Sequence, residues 1–243
     1  MLQSSSFSSE AISAINIVKN FRERKALSNL NIRIPEGRRV AILGPNGAGK
    51  STALKIICGI LKPDYGEVKI RGHEPNSPEA KKVLGFLPED ASPYPTLSVR
   101  ENLEYIGAIR STEELGDRIH ELVNTLGISE YLENKVSALS RGNRQKVAVA
   151  LSIIHRPEIM VMDEPLNYLD IPTQESLISM FSEMRGTFLV STHIMSIAEK
   201  LTDYVIIIAR GQEIWNGPTD DLRKMGHGQE SIEQIVSRLM KSV

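Results

Sequence analysis

The chain has 243 residues, 41% of them apolar and 24% charged, enough for one large domain, or one domain carrying a subdomain, and outside the range of disordered or collagen-like chains. Lys and Arg number 29 against 30 Asp and Glu, a net charge of −1, which gives no support to a surface that tracks nucleic-acid phosphates. A single cysteine, Cys58, excludes an intrachain disulfide and fits a cytosolic chain, and no apolar run approaches the roughly 20 residues of a membrane-spanning helix.

Residues 1–10 carry no basic residue and no long apolar core, so a loose leader is expected there rather than a secretory signal. Short strand patterns follow. Ile15 and Ile17 alternate with polar residues, as do Leu30, Ile32 and Ile34 before Pro35-Glu36-Gly37. Val40–Leu43 is an apolar strand running into a glycine-rich loop, with a helix expected from Ser51 to about Leu61. Glu67–Ile70 and Val83–Leu87 are further strands. From Ser98 to Ile154 the pattern is helical. Ser98 and Glu101 have capping-box spacing ahead of Leu103, Ile106 and Ile109. Leu115, Ile119, Leu122, Val123 and Leu126 share a helix face, and Gln145–Ile154 forms a third helix before Pro157.

Strand and helix then alternate again. Ile159–Met162 is a buried strand. Leu177, Ile178, Phe181 and Met184 line a helix that Gly186 can end. Phe188–Ser191 and Val205–Ala209 are strands around a short helix, and Arg210-Gly211-Gln212 turns into Glu213–Trp215. Ser231 and Gln234 again have capping spacing, with Ile232, Ile235, Val236, Leu239 and Met240 as an apolar stripe. The pattern predicts an α/β fold with a mostly parallel sheet, an antiparallel β piece near the N-terminus and an inserted helical subdomain. The main domain is expected over 11–220, with the helical insert at about 90–156 and an amphipathic helix within 221–243.

Gly44-Pro45-Asn46-Gly47-Ala48-Gly49-Lys50-Ser51 fits G-x-x-x-x-G-K-[ST] between a strand and a helix. Glycines let backbone N–H groups turn toward phosphate oxygens, and the helix N-terminus adds partial positive charge. Thr52 follows in the first turn. Lys50 can reach the outer phosphates, and the Ser51 hydroxyl is a hard ligand suited to Mg²⁺. Met160-Val161-Met162-Asp163-Glu164 is an apolar strand ending in two acids. Asp163 is placed to hold a Mg²⁺-bound water, and Glu164 to orient and deprotonate an attacking water. ATP and Mg²⁺ are therefore the expected cofactors, and the core is that of a P-loop NTPase.

Leu139-Ser140-Arg141-Gly142-Asn143-Arg144-Gln145 precedes Asp163, Leu169-Asp170 follows Glu164-Pro165, and His193 follows a strand in Ser191-Thr192-His193. Together with the phosphate loop and the paired acids, this ordered set resembles the ATP-binding subunits of ABC transporters over about Ile15 to Gly217. The resemblance implies a head-to-tail dimer, homomeric or heteromeric. ATP would lie between the phosphate loop of one cassette and Ser140 and Gly142 of the other. It implies that His193 contacts the γ-phosphate and that Phe21 stacks on adenine, although Phe21 reads equally well as a core residue. It implies an integral membrane subunit as partner and a peripheral location on the cytoplasmic face of the membrane.

The chain departs from the family pattern in places. Arg141 and Asn143 stand where the family motif has glycine and glutamine. Glu89 in Phe86-Leu87-Pro88-Glu89-Asp90 stands where many members have glutamine, and its carboxylate is a stronger Mg²⁺ ligand. The Leu-Pro-Glu form resembles cassettes paired with separately encoded exporter subunits. Glu89–Leu97, with Pro93 and Pro95 around Tyr94, is either a stiff surface turn or part of the family's groove for a membrane-subunit helix. Two other classes stay open: a soluble ATPase of the same type in cofactor assembly, and a nucleotide-binding regulator that does not hydrolyse.

Overall fold

A computed structural model describes residues 9–22, 24–167, 169–226 and 230–241. Two sheets organise it. Strands β1 (Glu10–Phe21), β2 (Arg24–Pro35) and β4 (Tyr65–Ile70) form a three-stranded antiparallel sheet in the order β2-β1-β4. The six-stranded sheet has the order β5-β6-β7-β3-β8-β9. Its strands are β3 (Arg39–Leu43), β5 (Leu84–Leu87), β6 (Ile159–Asp163), β7 (Thr187–Thr192), β8 (Tyr204–Ala209) and β9 (Gln212–Pro218). All its pairings are parallel except β8 with β9. The expected mixed α/β architecture is the one observed.

Side-chain alternation decides what covers each face of the large sheet. Met160, Met162, Phe188 and Val190 turn to one side, into a core shared with α3 (Val99–Ile109), α4 (Leu115–Thr125), α5 (Arg141–Ile153) and α6 (Ile171–Glu183). Ile159, Val161 and Leu189 turn to the other, against α1 (Lys50–Ile57) and the small sheet. Every residue of β6 and of β7 is buried, as expected for strands covered on both faces.

Helix ends follow local chemistry. At α3, Ser98 Oγ accepts from the Glu101 N–H and the Glu101 carboxylate accepts from the Ser98 N–H, the anticipated capping box. α1 stops at Ile57, short of the expected Leu61. Gly59 takes φ +71°, and the Ile60 N–H reaches back to Lys55 O at 2.9 Å, a Schellman closure that ends the helix. α5 starts at Arg141, four residues before the expected Gln145, because Ser140 Oγ caps the Asn143 N–H. A helix not anticipated, α2 (Pro78–Val83), is capped by Ser77 with Pro78 in its first turn.

β1 begins at Glu10, inside the expected leader, and Glu10 pairs with Arg33 at 2.7 Å. Residues 1–8 of that leader lie outside the described residues. The C-terminal region holds two helices rather than one. α8 (Thr219–Lys224) leads to α9 (Ile232–Lys241), which follows a Ser231–Gln234 capping box. Both share one core with short helix α7 (Met195–Leu201), β3 and β8, into which the α9 stripe packs through buried Ile235 and Val236. Among the described residues no helix is long and apolar enough to cross a membrane.

Candidate nucleotide site

Strand register brings the site together. Leu43 pairs with Thr192, and Asp163 with Ser191. The loop after β3, the acids ending β6 and His193 after β7 therefore emerge at one sheet edge, at the carboxyl ends of parallel strands. In open α/β sheets this is where ligands bind.

The phosphate loop turns from β3 into α1. Gly49 caps that helix at φ +108°, a left-handed conformation that glycine adopts without a Cβ penalty. Lys50 is only 6% exposed. Its Nζ donates to Gly44 O at 2.8 Å and lies 3.8 Å from Glu164 Oε1. The lysine is thus folded back on its own loop and faces the second acid of β6.

Glu164 has φ +46°, an uncommon conformation for a residue with a side chain. Its N–H donates to Ser191 O at 3.0 Å, which fixes that turn. Oε1 lies 2.9 Å from His193 Nδ1, while Oε2 is buried with no hydrogen-bond partner among the described residues. A buried carboxylate oxygen left open is costly unless a ligand or water completes it. Asp163 is buried just behind, its Oδ1 accepting from Ser191 Oγ at 2.5 Å.

A cavity of about 810 Å³ gathers Phe21, Asn46, Gly47, Gly49, Lys50, Ser51, Thr52, Glu89, Glu164 and His193 on its walls. Phe21 ends β1 and is 46% exposed, so it is a wall residue and not a core one. Gly44, Pro45, Ala48 and Asp163 belong to the same edge but do not line the cavity. Three further walls were not anticipated from sequence: Arg24, Ala26 and Asn167. Asn167 Nδ2 lies 3.5 Å from Glu89 Oε1. A residue three positions past Phe21 is the only hint the sequence carries for Arg24.

Ser140 and Gly142 are not brought to this cavity. They sit at the N-terminus of α5. Among the described residues a Cβ added to Gly142 would meet nothing closer than Leu169 Cδ2 at 4.0 Å. Gln145 Nε2 donates to Pro165 O at 3.0 Å and links α5 to the turn after Glu164. Asp170 caps α6 by accepting from the Thr173 N–H at 2.8 Å, a bond that holds its carboxyl below the usual range. Tyr168, between these, lies outside the described residues.

A second hollow, about 1,070 Å³, runs between α2, α3 and α5. Its walls include Leu87, Pro93, Tyr94, Ile106, Ile109 and Leu151, with Lys81, Lys82 and Arg110 along one side. The Pro93–Pro95 loop is pinned to α3 by Asn102, whose Oδ1 accepts from the Tyr94 N–H at 2.8 Å and whose Nδ2 donates to Tyr94 O at 3.1 Å. Burial lowers the Arg110 pKa. Its Nη1 donates to Lys81 O at 2.8 Å, and no carboxylate among the described residues pairs with it.

Comparison with known proteins agrees with this geometry. The family model described as ABC transporter matches residues 27–167. The chain is 32% identical to the lantibiotic transport ATP-binding protein SrtF of Streptococcus pyogenes, covering 90% of this chain and 93% of that one. It is 36% identical to the molybdate/tungstate import ATP-binding protein WtpC of Archaeoglobus fulgidus, covering 86% and 90%. Among solved structures, an ATP-binding subunit of an ABC transporter superposes with a TM-score of 0.86 at 26% identity, over 94% of this chain and 99% of that one. The dimeric post-hydrolysis state of the cassette MJ0796, bound to ADP and Pi, superposes at 0.77 with 28% identity, over 85% and 98%. The chain belongs to the ABC transporter family, as an ATP-binding subunit that hydrolyses ATP.

Proposed function

We propose that this chain powers outward transport through a separate membrane subunit, hydrolysing Mg-ATP held between two cassettes arranged head to tail. The observation that carries the dimeric site is its division. Phe21, the phosphate loop, Glu164 and His193 share one cavity, while Ser140 and Gly142 stand apart from it at the start of α5. A second copy, or a related cassette, supplies what one chain leaves out.

In this arrangement Phe21 stacks on adenine and the N–H groups of residues 44–52 cradle the phosphates. Lys50 leaves Gly44 O to meet the outer phosphates. Ser140 and Gly142, at a helix N-terminus, face the γ-phosphate from across the dimer. Glu164 takes the proton of the attacking water, and His193, already bonded to Oε1, holds the geometry while Oε2 receives that water. Among the described residues no three His, Cys, Asp or Glu side chains gather as a self-sufficient metal site. That fits Mg²⁺, which takes few protein ligands and completes its shell with phosphates and waters. Ser51 and Glu89 would hold it, Asp163 through a water, and it would neutralise developing phosphate charge.

The groove between α2, α3 and α5 supports a membrane partner that seats a short helix there. Ile60 and Ile109 are 62% and 60% exposed beside it, and Lys81, Lys82 and Arg110 line it together with Glu113. The Leu87-Pro88-Glu89 form supports the outward direction. The decisive experiment tags the chain, purifies it from gently solubilised membranes and compares secreted and retained metabolites with and without it. A stoichiometric polytopic protein, and compounds lost from the medium without the chain, support the proposal. Only soluble partners would favour a cofactor-assembly role, and compounds lost from the cells would reverse the direction.

A further inference from the structure

We infer that Arg24 is a second cationic contact for the nucleotide's phosphates, reaching the cavity from the small sheet while Lys50 reaches it from the large one. The inference rests on the cavity binding ATP and names a residue of that site. Arg24 opens β2, just after the turn that follows Phe21. Its Nη2 donates to Gly47 O at 3.0 Å, so the guanidinium lies on the crown of the phosphate loop and forms part of the cavity wall. A methyl at Gly47 would fall 2.8 Å from that nitrogen, so the absent side chain leaves the guanidinium its place.

The charges around the cavity single this residue out. Lys50 already faces Glu164 at 3.8 Å. Among the described residues no carboxylate pairs with Arg24. A guanidinium carries five N–H donors in a planar fork, suited to phosphate oxygens. The bond to Gly47 O uses one, which leaves others for a polyanion. Phosphates bound between Arg24 and Lys50 would tie the antiparallel sheet to the core, so occupancy of the site would be felt by both sheets.

The test is displacement of a fluorescent ATP analogue by adenosine and by inorganic tripolyphosphate, in the wild type and in Arg24→Ala, Arg24→Gln and Arg24→Lys. Thermal melting without nucleotide checks that each variant is folded. Arg24→Ala should weaken tripolyphosphate on the order of tenfold and leave adenosine within about twofold. Arg24→Lys should recover part of the loss, and Arg24→Gln, which keeps a donor for Gly47 O but no charge, should recover none. Recovery by Gln would overturn the proposal by showing that Arg24 only braces the loop. Equal losses for adenosine and tripolyphosphate would overturn it by placing Arg24 on the base. A wild type that fails to bind the analogue would bring down the nucleotide assignment itself, and with it this one. A binding wild type with unaltered variants would remove Arg24 alone.

Discussion

The two large hollows differ in what their walls lack. In the phosphate cavity polar groups already meet one another: Lys50 with Gly44 O, Glu164 with His193, Asn167 with Glu89. Among the described residues a buried Glu164 oxygen is left without a partner, and the Arg24 guanidinium, bonded to Gly47 O, is left without a carboxylate. In the groove the walls are mainly apolar, with Lys81, Lys82 and Arg110 outnumbering Glu113, and the shortfall is of apolar cover. A site that has arranged its dipoles beforehand suits chemistry, since little reorganisation remains at the moment of reaction. A site with exposed isoleucines and unmatched cations suits a macromolecular partner.

The contrast breaks most sharply at Glu164. Glu164→Gln should keep ATP binding and lose turnover by about 10²–10⁴-fold, accumulating as an ATP-bound dimer in size-exclusion chromatography. Wild-type turnover would sink the assignment of the base. Lys50→Ala should weaken ATP by on the order of ten- to a hundredfold, read by calorimetric titration; an unchanged affinity would remove the loop lysine from the site.

Two variants sharpen the groove side. Arg110→Glu should abolish co-purification of the membrane partner while ATPase activity of the isolated chain stays within about twofold, because Arg110 touches nothing in the cavity. Parallel loss of both would mean the two hollows are not separable. Asn102→Ala should cost about 1–3 kcal/mol in urea unfolding, since it strands the buried Ser98 O and the part-buried Tyr94 N–H and O.

The last effect appears only on acidification. His155 lies at the groove, and burial, followed by the nearby Arg110 charge, lowers its pKa to about 4 from 6.5. The unfolded chain therefore binds a proton there that the folded chain refuses between those values. Its contribution to stability is complete above pH 6.5 and is lost as pH falls toward 4. The urea midpoint of wild type should drop over that window relative to His155→Gln, and parallel profiles would refute the assignment.

Sequence reading reached the parts whose chemistry is local. The strand–loop–helix around Gly44–Ser51 and the Ser98–Glu101 cap depend on near neighbours. So does the alternation in β6 and β7. It missed what depends on distant neighbours. Arg24 reaches Gly47, 23 residues on, only because the start of β2 packs beside the phosphate loop. Glu164 and His193 are both expected site residues, and what the sequence does not show is their contact, which arises because β6 and β7 are adjacent though 29 residues separate the pair. The start of α5 was placed late because Arg141-Gly142-Asn143-Arg144 has no apolar period, and a single serine cap decides the boundary. The division of the nucleotide site between two cassettes came from the family resemblance, since nothing within one chain's periodicity requires a second copy.

The pairing of Asp163 with Ser191 has a consequence for anyone who wishes to re-engineer this protein. A side chain changes face with each step along a strand. One residue inserted into β7 would expose Phe188 and Val190 to the wrong core and, by the same step, carry His193 away from Glu164. Packing and the placing of His193 thus share one register, and with Ile194 capping α7 directly after it there is no slack on either side of the histidine.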